Sequence, residues 1–445
     1  MDIRKLRTRL GGAAHDDRGV ALMVVLAAMT MLFLLATMLI ATSVYQIKST
    51  ERQEVRSKAV QIADAGLSAY LYELRRQQTF YKTDPTLGPV TTADGRWIVT
   101  ATAPTETPAG QPIPLTLRAT GYATARNETR TIVAQVRFPT FADYATLSDA
   151  AINWGANRTI NGKVHSNDSV TQNYASTYIT GKVTAVHAVS GYTDTAHMTQ
   201  GYKSNNDALY IDFNKVVTDI NRLVTMATNN GNYYGPSGAK GYRVVFNGDK
   251  YNIDRIDSIT TAGTMTVTAV RANQPIPPDS VIYVKDDCWI WGTYSAPITF
   301  GCGDPAKSQD YDVTIPKDFV AVTRAGQYKA GVVAVSDIYI PYWYQKPSYP
   351  DSFTVQAALL AQSGYVGAFS DGNSAPAGTA TNFNMIGSTS YKASGFFTVT
   401  DTNGNTTKGF KARGIYFDRG LEFYPPPEYP VLNMGNLKIN SWTEQ

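Results

Sequence analysis

The first long apolar segment of the chain begins at Val20. No charged residue occurs between Val20 and Ile47, and the 25 residues from Val20 to Val44 include only four hydroxyl side chains. A helix crosses a bilayer with about 20 apolar residues, so this segment predicts a transmembrane helix over residues 20–44. Residues 1–19 are rich in Arg and Lys, which predicts a leader that stays in the cytoplasm while the rest of the chain lies beyond the membrane.

The helical pattern continues past the apolar segment. Between residues 44 and 74, apolar residues recur every three or four positions and charged residues occupy the other faces. No proline interrupts residues 20–77. We therefore expect one helix over residues 20–78, roughly 87 Å long at ~1.5 Å per residue. Such a rod suits lateral packing against other helices better than simple anchoring.

Two other interpretations of the N-terminus remain open. A cleaved secretory signal peptide has an apolar core of ~7–15 residues and a small-x-small cleavage site. The apolar segment here is longer and ends without an A-x-A sequence. A plain signal anchor fits better, although it would not require the helix to continue.

After a polar stretch at 79–94 the apolar period changes to two. This alternation predicts strands over 96–102, 115–122 and 129–138. The simplest arrangement is a small antiparallel sheet over residues 79–138, packed on the C-terminal half of the helix.

Residues 139–445 are rich in Thr, Asn, Gly, Ser and Tyr and poor in charge. An I-x-G-K-V sequence begins at Ile160 and recurs nineteen residues later at Ile179. Repeats of this length are typical of stacked coils in a β-solenoid. We also expect one inserted helix over residues 206–228 and hairpin turns at 247–248 and 403–404. The predicted fold class is mainly β with a long N-terminal transmembrane helix and a solenoid-like ectodomain.

Composition narrows the classes of function. The chain of 445 residues carries 40 Lys and Arg against 36 Asp and Glu, and no long basic stripe is present, which argues against a nucleic-acid-binding protein. The mean hydropathy of -0.22 averages one strongly apolar segment with a polar ectodomain. A charged fraction of only 17% fits a β-rich surface domain better than a cytosolic enzyme.

Cys288 and Cys302 lie fourteen residues apart in the predicted extracytoplasmic region. An oxidising compartment favours a disulfide between them, and two separate buried thiols are the alternative. Zinc is disfavoured because neither cysteine has a second Cys or a His at ligand spacing. We expect no metal site and no cofactor.

Other candidate chemistry is weak. Three histidines, His165, His187 and His197, could meet only if stacked coils aligned them, and solvated loop histidines are the simpler interpretation. Asp401 begins a sequence like a calcium loop, but Ala412 stands where the twelfth-position Glu is needed. No nucleophile elbow, P-loop or dinucleotide motif occurs, so we predict a non-enzyme. Paired carboxylates of the glycosidase kind leave no spacing signal.

Aromatic residues form two clusters that could stack on sugars or on partner proteins, or could simply cover the edges and ends of the β domain. The clusters comprise Tyr339, Tyr342, Trp343, Tyr344 and Tyr349, and Tyr416, Phe417, Phe423, Tyr424 and Tyr429.

The segments Arg18 to Leu22 and Ala59 to Leu67 resemble the N-terminus of PilX-type minor pilins and of K-type pseudopilins of type II secretion. The strands after the helix also resemble the small pilin sheet, so that the likeness covers about residues 15–138. In that family a prepilin peptidase cuts after the leader glycine, which implies a cut between Gly19 and Val20. The residues that follow residue 139 resemble an uncharacterised β-rich ectodomain often found after such N-termini.

One position departs from the family pattern. Ordinary pilins carry Glu at the fifth mature position, where this chain has Val24. K-type pseudopilins share that lack, and the resemblance implies a place at a filament tip, where no subunit lies above.

The sequence therefore predicts a single-pass protein of the bacterial cytoplasmic membrane, with its N-terminus in the cytoplasm, that primes or caps a type IV pilus or a type II secretion pseudopilus. The expected partners are the membrane, prepilin peptidase, other pilin or pseudopilin subunits bound through the N-terminal helix, and a surface glycan or protein. The alternatives are a membrane-anchored adhesin that joins no filament and an enzyme acting on polysaccharide.

Overall fold

The protein consists of a long helix, a small sheet and a large β-rich ectodomain. The computed structural model describes residues 17–77, 80–106, 112–204, 208–260, 263–277, 280–323, 328–342, 352–370, 377–401, 405–432 and 437–445.

The strands are numbered in chain order. The first six are β1 (Thr86–Thr91), β2 (Gly95–Thr102), β3 (Thr105–Glu106), β4 (Pro112–Ile113), β5 (Leu115–Ala123) and β6 (Glu128–Arg137). The next ten are β7 (Thr146–Ser148), β8 (Ile152–Trp154), β9 (Arg158–Asn161), β10 (Val164–Ser166), β11 (Val170–Gln172), β12 (Tyr178–Ile179), β13 (Val183–Ala185), β14 (Val189–Gly191), β15 (Tyr202–Lys203) and β16 (Tyr233–Tyr234). The following ten are β17 (Tyr242–Gly248), β18 (Lys250–Ile259), β19 (Met265–Pro275), β20 (Val281–Val284), β21 (Cys288–Tyr294), β22 (Ile298–Cys302), β23 (Val313–Thr314), β24 (Phe319–Ala321), β25 (Ala330–Ala334) and β26 (Ile338–Tyr339). The last six are β27 (Ser352–Ala361), β28 (Val366–Gly367), β29 (Gly378–Tyr391), β30 (Thr398–Thr400), β31 (Thr406–Tyr416) and β32 (Lys438–Glu444).

The predicted long helix is confirmed. It runs without a break over Asp17–Arg76, which is 60 residues or about 90 Å. Two arginines, Arg75 and Arg76, occupy its last turn, where positive charge complements the negative end of the helix dipole. A short helical turn, Phe80–Thr83, follows.

The predicted small antiparallel sheet is also confirmed, with the strand order β1-β2-β5-β6-β32. Its inner face and the second half of the helix share one core, because alternate residues of each strand point toward the helix. Residues 438–444, which the sequence analysis counts with the ectodomain, lie in this sheet as β32, paired antiparallel with β6. The core contains Ala59, Ile62, Ala63, Leu67, Tyr70, Leu71, Leu74, Trp97, Val99, Leu115, Leu117, Ala119, Ala123, Ile132, Ala134 and Val136.

The ectodomain begins with coils of three short strands each. Strands β7, β8 and β9 form one coil, and each pairs in parallel with its counterpart in the next coil, β10, β11 and β12. The sequence repeat fits this stacking, since Ile160 lies opposite Ile179 and Val164 opposite Val183. All four side chains are buried in the core of the ectodomain. A regular solenoid over the whole ectodomain stays a prediction, because later coils differ in length.

The coils that start at β7 form one arm of the stack, and later strands form a second arm on the opposite side of the first coil. Strands β20, β22, β25, β27 and β29 pair in parallel in that order. The end of β29 then pairs with β7, and β31 pairs with β9. The first coil, β7 to β9, therefore lies in the middle of the stack. Strands β10 to β12 pair with one side of it, and β29 and β31, which come much later in the chain, pair with the other side.

The helix that connects the arms begins later than predicted. It spans Val216–Asn229, whereas the sequence pattern began near residue 206. Asp212 ends the preceding extended segment, since its side chain accepts a hydrogen bond from the backbone N–H of Asn214. Leu209, which lies within the predicted helix, precedes the observed one and is 75% exposed. The helix lies against β20 and β22, and its apolar face shares one buried cluster with residues of β20, β25 and β27.

Of the two predicted hairpins, the first is confirmed. Strands β17 and β18 pair antiparallel, with Asn247 opposite Lys250, and Gly248 has a positive φ of 65°, a backbone conformation that glycine adopts freely. The predicted turn at 403–404 lies outside the described residues, while the flanking β30 and β31 pair antiparallel.

Candidate functional site

The first half of the N-terminal helix has apolar side chains on every face, and no other described part of the chain packs against it. All residues from 21 to 48 are exposed; Leu22, Phe33 and Leu39 each keep about two thirds of their side-chain surface uncovered. Exposure of so large an apolar surface to water is unfavourable. This part of the helix is complementary to lipid or to other apolar helices.

The few polar side chains in this segment are satisfied within the helix. The hydroxyls of Thr30, Thr37, Thr42 and Ser43 each donate a hydrogen bond to a backbone carbonyl three or four residues earlier, at 2.8–3.0 Å. Polar groups with internal partners can enter hydrocarbon at low cost. Within the described part of the chain, this helix alone is long and apolar enough to cross a membrane.

The positions singled out at the N-terminus lie at the start of this segment. The backbones of Gly19 and Val20 belong to the first turns of the helix, which begins at Asp17. Val24 is 62% exposed on the apolar surface and brings no carboxylate there. Cleavage between Gly19 and Val20 stays a prediction.

The second half of the helix approaches the small sheet very closely at two glycines. A Cβ on Gly121 of β5 would lie 2.2 Å from the carbonyl oxygen of Ala59, and a Cβ on Gly66 would lie 2.9 Å from the ring of Trp97. Sequence analysis did not single out either glycine for this role. Gly66 interrupts a helical pattern, and an isolated glycine in such a place often marks close packing.

Two polar contacts lie at the edge of this interface. The Lys58 ammonium lies 2.9 Å from the Asp94 carboxylate, and the Tyr70 hydroxyl donates to the carbonyl of Asp84 at 2.8 Å. The hydrogen bond and charge of Asp94 raise the pKa of Lys58. Because the ion pair is exposed it adds little stability, whereas the buried core residues hold the helix on the sheet.

The two cysteines are neighbours in the core of the ectodomain. Their sulfur atoms are 2.9 Å apart, and both side chains are buried. Burial raises the pKa of both the Cys288 and the Cys302 thiol, so neither is an activated nucleophile. The structure brings the pair together as free thiols, and the disulfide stays a prediction.

The three ectodomain histidines do not converge. His165 is buried with Nδ1 2.8 Å from the Thr184 hydroxyl, and burial lowers its pKa. His187 and His197 lie beside Asp168 and Asp194 respectively. The described residues contain no group of three or more His, Cys, Asp or Glu side chains arranged to hold a metal ion.

The aromatic clusters belong mainly to packing surfaces where the structure describes them. Tyr342 and Tyr429 are buried, and only Tyr416 among the second cluster is more than two fifths exposed. Trp343, Tyr344 and Tyr349 lie outside the described residues. The second cluster therefore does not form an open platform for a sugar.

A ladder of aspartates on successive turns was not foreseen from the sequence. The Asp287 carboxylate accepts the backbone N–H of Asp312, Asp312 that of Asp337, and Asp337 that of Tyr365, at 2.8–2.9 Å. Burial and the flanking carboxylates raise the pKa of Asp312 to about 7. Regular spacing of 25 residues between the aspartates could have indicated the ladder, but only in combination with the coil register.

Comparisons with known proteins add little. No family model matches the chain, and no curated protein matches it. The crystal structure of the competence-associated pilin ComZ from Thermus thermophilus is similar to it over 88% of this chain and 98% of that chain, at 12% sequence identity and a TM-score of 0.21. So low a score carries no weight for fold or function.

Proposed function

We propose that this protein is a pilin-like minor subunit, stored in the cytoplasmic membrane through its N-terminal helix and assembled into a filament by packing that helix against others. One observation carries the proposal. A single unbroken helix has an apolar first half that no other described residue covers and a second half packed on a folded sheet.

The two halves suit the two environments such a subunit meets. The exposed half matches the hydrocarbon thickness of a bilayer, and the same surface can exchange lipid for neighbouring helices because both are apolar. The packed half transmits the position of the helix to the sheet and ectodomain without a flexible linker. A plain membrane anchor gains nothing from that rigid connection.

Val24 supports a place at the end of the filament. A carboxylate at this position in a repeating subunit would pair with a neighbouring amino terminus, because an unpaired charge in an apolar core is costly. Without that pairing group, the chain is better suited to few copies that prime or cap a type IV pilus or a type II secretion pseudopilus.

Co-expression of the full chain with a prepilin peptidase tests the proposal. We expect a product about 2 kDa smaller, whose N-terminal sequence begins at Val20. Gly19→Leu should block the shift, whereas Gly12→Leu, a matched change elsewhere in the leader, should leave it intact. Crosslinking through a cysteine placed at Leu39 should then link the product to other pilin-like helices.

The competing function is a membrane-anchored adhesin that joins no filament. It has the same exposed apolar helix and differs only in its processing and partners. An uncleaved protein that stays in the membrane, with Gly19→Leu indistinguishable from the parent chain, would favour the adhesin and refute the pilin-like subunit.

A further inference from the structure

The place where the two arms of the ectodomain meet contains two arginines on the inner side of the coils. Strands β9 and β31 pair in parallel with Arg158 directly opposite Arg413. Two residues further along, Ile160 and Ile415 are also opposite each other, and both belong to the apolar core. Side chains two residues apart share a face of a strand, so the arginines point toward the interior.

These guanidinium groups have neutral partners only. Arg158 is 3% exposed; it donates to the Thr398 hydroxyl at 2.6 Å and to the carbonyls of Asn157 and Lys411. No ion pair joins either arginine to a carboxylate among the residues that the structure describes. Burial lowers the pKa of Arg158 to about 10, and burial with the charge of Arg158 lowers that of Arg413 to about 9. Both groups remain charged at neutral pH.

Two buried hydrogen-bond donors near the arginine pair have no acceptor. Within the described part of the chain, the Arg413 Nε and the Trp154 Nε1 are buried and have no hydrogen-bond partner. Both groups can only donate, and a buried donor without an acceptor is unfavourable. A negatively charged acceptor would satisfy them and would also compensate the two positive charges.

A cavity of about 130 Å³ lies between these groups. Its lining contains Trp154, Phe396, Phe397 and Tyr391 together with both arginines, and no Asp or Glu is among the described residues that line it. The Arg413 guanidinium stacks 4.2 Å from the ring centre of Phe397, and Phe396 is 43% exposed. Aromatic faces of this kind suit the apolar side of a sugar ring.

We propose that this cavity, named here the junction pocket, binds the carboxylate of an acidic sugar such as a uronic acid at the surface of a polysaccharide. The arginines pair with the carboxylate, the indole N–H of Trp154 donates to it, and the ring lies against Phe396. Since no carboxylic acid lines the pocket, the site is built for binding and not for glycoside hydrolysis. The proposal is independent of filament assembly.

Calorimetric titration of the full chain in detergent micelles tests the site. Sodium glucuronate should bind with a Kd of about 1 mM or tighter, glucose should show no binding, and acetate should bind at least tenfold more weakly than glucuronate. Arg413→Gln should weaken glucuronate binding at least tenfold. Lys203→Gln, which removes a positive charge from an exposed position of β15 outside the pocket, should leave the affinity unchanged.

A second variant separates binding from folding. Trp154→Phe keeps an aromatic ring in the core and removes the N–H donor. Glucuronate affinity should fall severalfold, while the far-ultraviolet circular-dichroism spectrum stays that of the parent chain. The proposal is overturned if no ligand binds, if glucose or acetate binds as tightly as glucuronate, or if Lys203→Gln weakens binding as much as Arg413→Gln. Tighter binding of sulfate or phosphate would assign the pocket to a tetrahedral anion and equally overturn it.

Discussion

The N-terminal helix and the ectodomain treat their apolar side chains in opposite ways. The first half of the helix leaves Leu, Met and Phe side chains outside on all faces, whereas the coils turn Ile, Val and Phe inward around a closed core. The two regions also differ in composition, since the ectodomain is much more polar than the helix. The position of the apolar side chains explains the difference: the helix needs an external apolar environment, whereas the ectodomain buries its fewer apolar residues in its own core.

We therefore expect that the membrane location of the protein and the stability of its folded domains can be changed separately. Substitutions in the exposed half of the helix should alter where the protein is found and leave the folded ectodomain intact. Substitutions in the sheet or the coils should alter unfolding and leave membrane retention intact.

The largest effect should come from charge in the middle of the exposed helix. Leu34→Arg combined with Leu35→Arg places two cations at the centre of the predicted span, each costing about 2.5–3.5 kcal/mol in a bilayer. We expect loss of membrane retention after alkaline extraction, with an unchanged thermal midpoint for the ectodomain. The pair Leu34→Val and Leu35→Val is the control and should stay in the membrane. Retention of the arginine variant would show that the helix is not the anchor.

A smaller effect is expected where the helix meets the sheet. Gly121→Ala would place its Cβ 2.2 Å from the Ala59 carbonyl oxygen, and overpacking against backbone should destabilise the protein by about 3 kcal/mol. The thermal midpoint of the purified chain measures this change. Gly235→Ala is the matched control, since its Cβ would meet only the Tyr233 ring at 3.9 Å. Equal midpoints for the two variants would contradict the close approach.

The next effect concerns the two cysteines in the core of the ectodomain. If the chain is exported to an oxidising compartment, the adjacent sulfur atoms of Cys288 and Cys302 should form a disulfide that stabilises the fold by about 2 kcal/mol. Mass spectrometry of the protein alkylated in denaturant, without and with reductant, detects it. Two alkylated thiols in the unreduced sample would show that the pair stays free, and protein made in a reducing cytosol provides the reference for that state.

The smallest expected effect concerns the aspartate ladder. The pKa of Asp312 is about 7 in the folded protein, above its value in the unfolded chain, so the folded state binds more protons between about pH 4 and 7. The contribution of Asp312 to stability is therefore lost as the pH rises through that window. Asp312→Asn keeps an oxygen that can accept the Asp337 N–H and removes the charge, which should raise the thermal midpoint at pH 8 by a few degrees.

Asp257→Asn provides the opposite case for that measurement. Hydrogen bonds from Thr268 and Arg255 lower the pKa of Asp257, so its ionised form is favoured and its removal should give no rise at pH 8. A fall in the midpoint of Asp312→Asn at pH 8 would show that the raised pKa is not a source of instability.

Much of the architecture could be predicted from local patterns. The helix bounds, the strands β2, β5 and β6 and the hairpin after β17 follow from periods of 3.6 and 2 and from an Asn-Gly turn. The nineteen-residue repeat also predicts which residues of neighbouring coils face each other. These features depend on contacts between residues that are close in sequence or regularly spaced, and such contacts leave a visible pattern.

The pairing of distant segments could not be predicted in this way. Strand β32 joins β6, β29 joins β7, and β31 joins β9, yet each of these strands would satisfy the same backbone hydrogen bonds with another partner. The start of the inserted helix was placed too early for a related reason. Apolar residues such as Leu209 continued the helical period, although tertiary packing did not use them.

The junction pocket could not be predicted from the sequence. Arg158 begins a strand and Arg413 lies 255 residues later, in segments that share no motif. Nothing in either segment distinguishes an arginine that points inward from one in solvent until the partner strand is known.

A charge-free apolar segment at the head of a continuous helix can be recognised from the sequence, because helical period and hydropathy are local properties of the chain. The meeting of the two arms at the first coil of the ectodomain, which makes two arginines neighbours, is visible in the folded structure alone. Closure of a stack depends on which distant strand edges pair. Every strand edge presents the same backbone N–H and C=O groups, so the sequence does not show which two will pair.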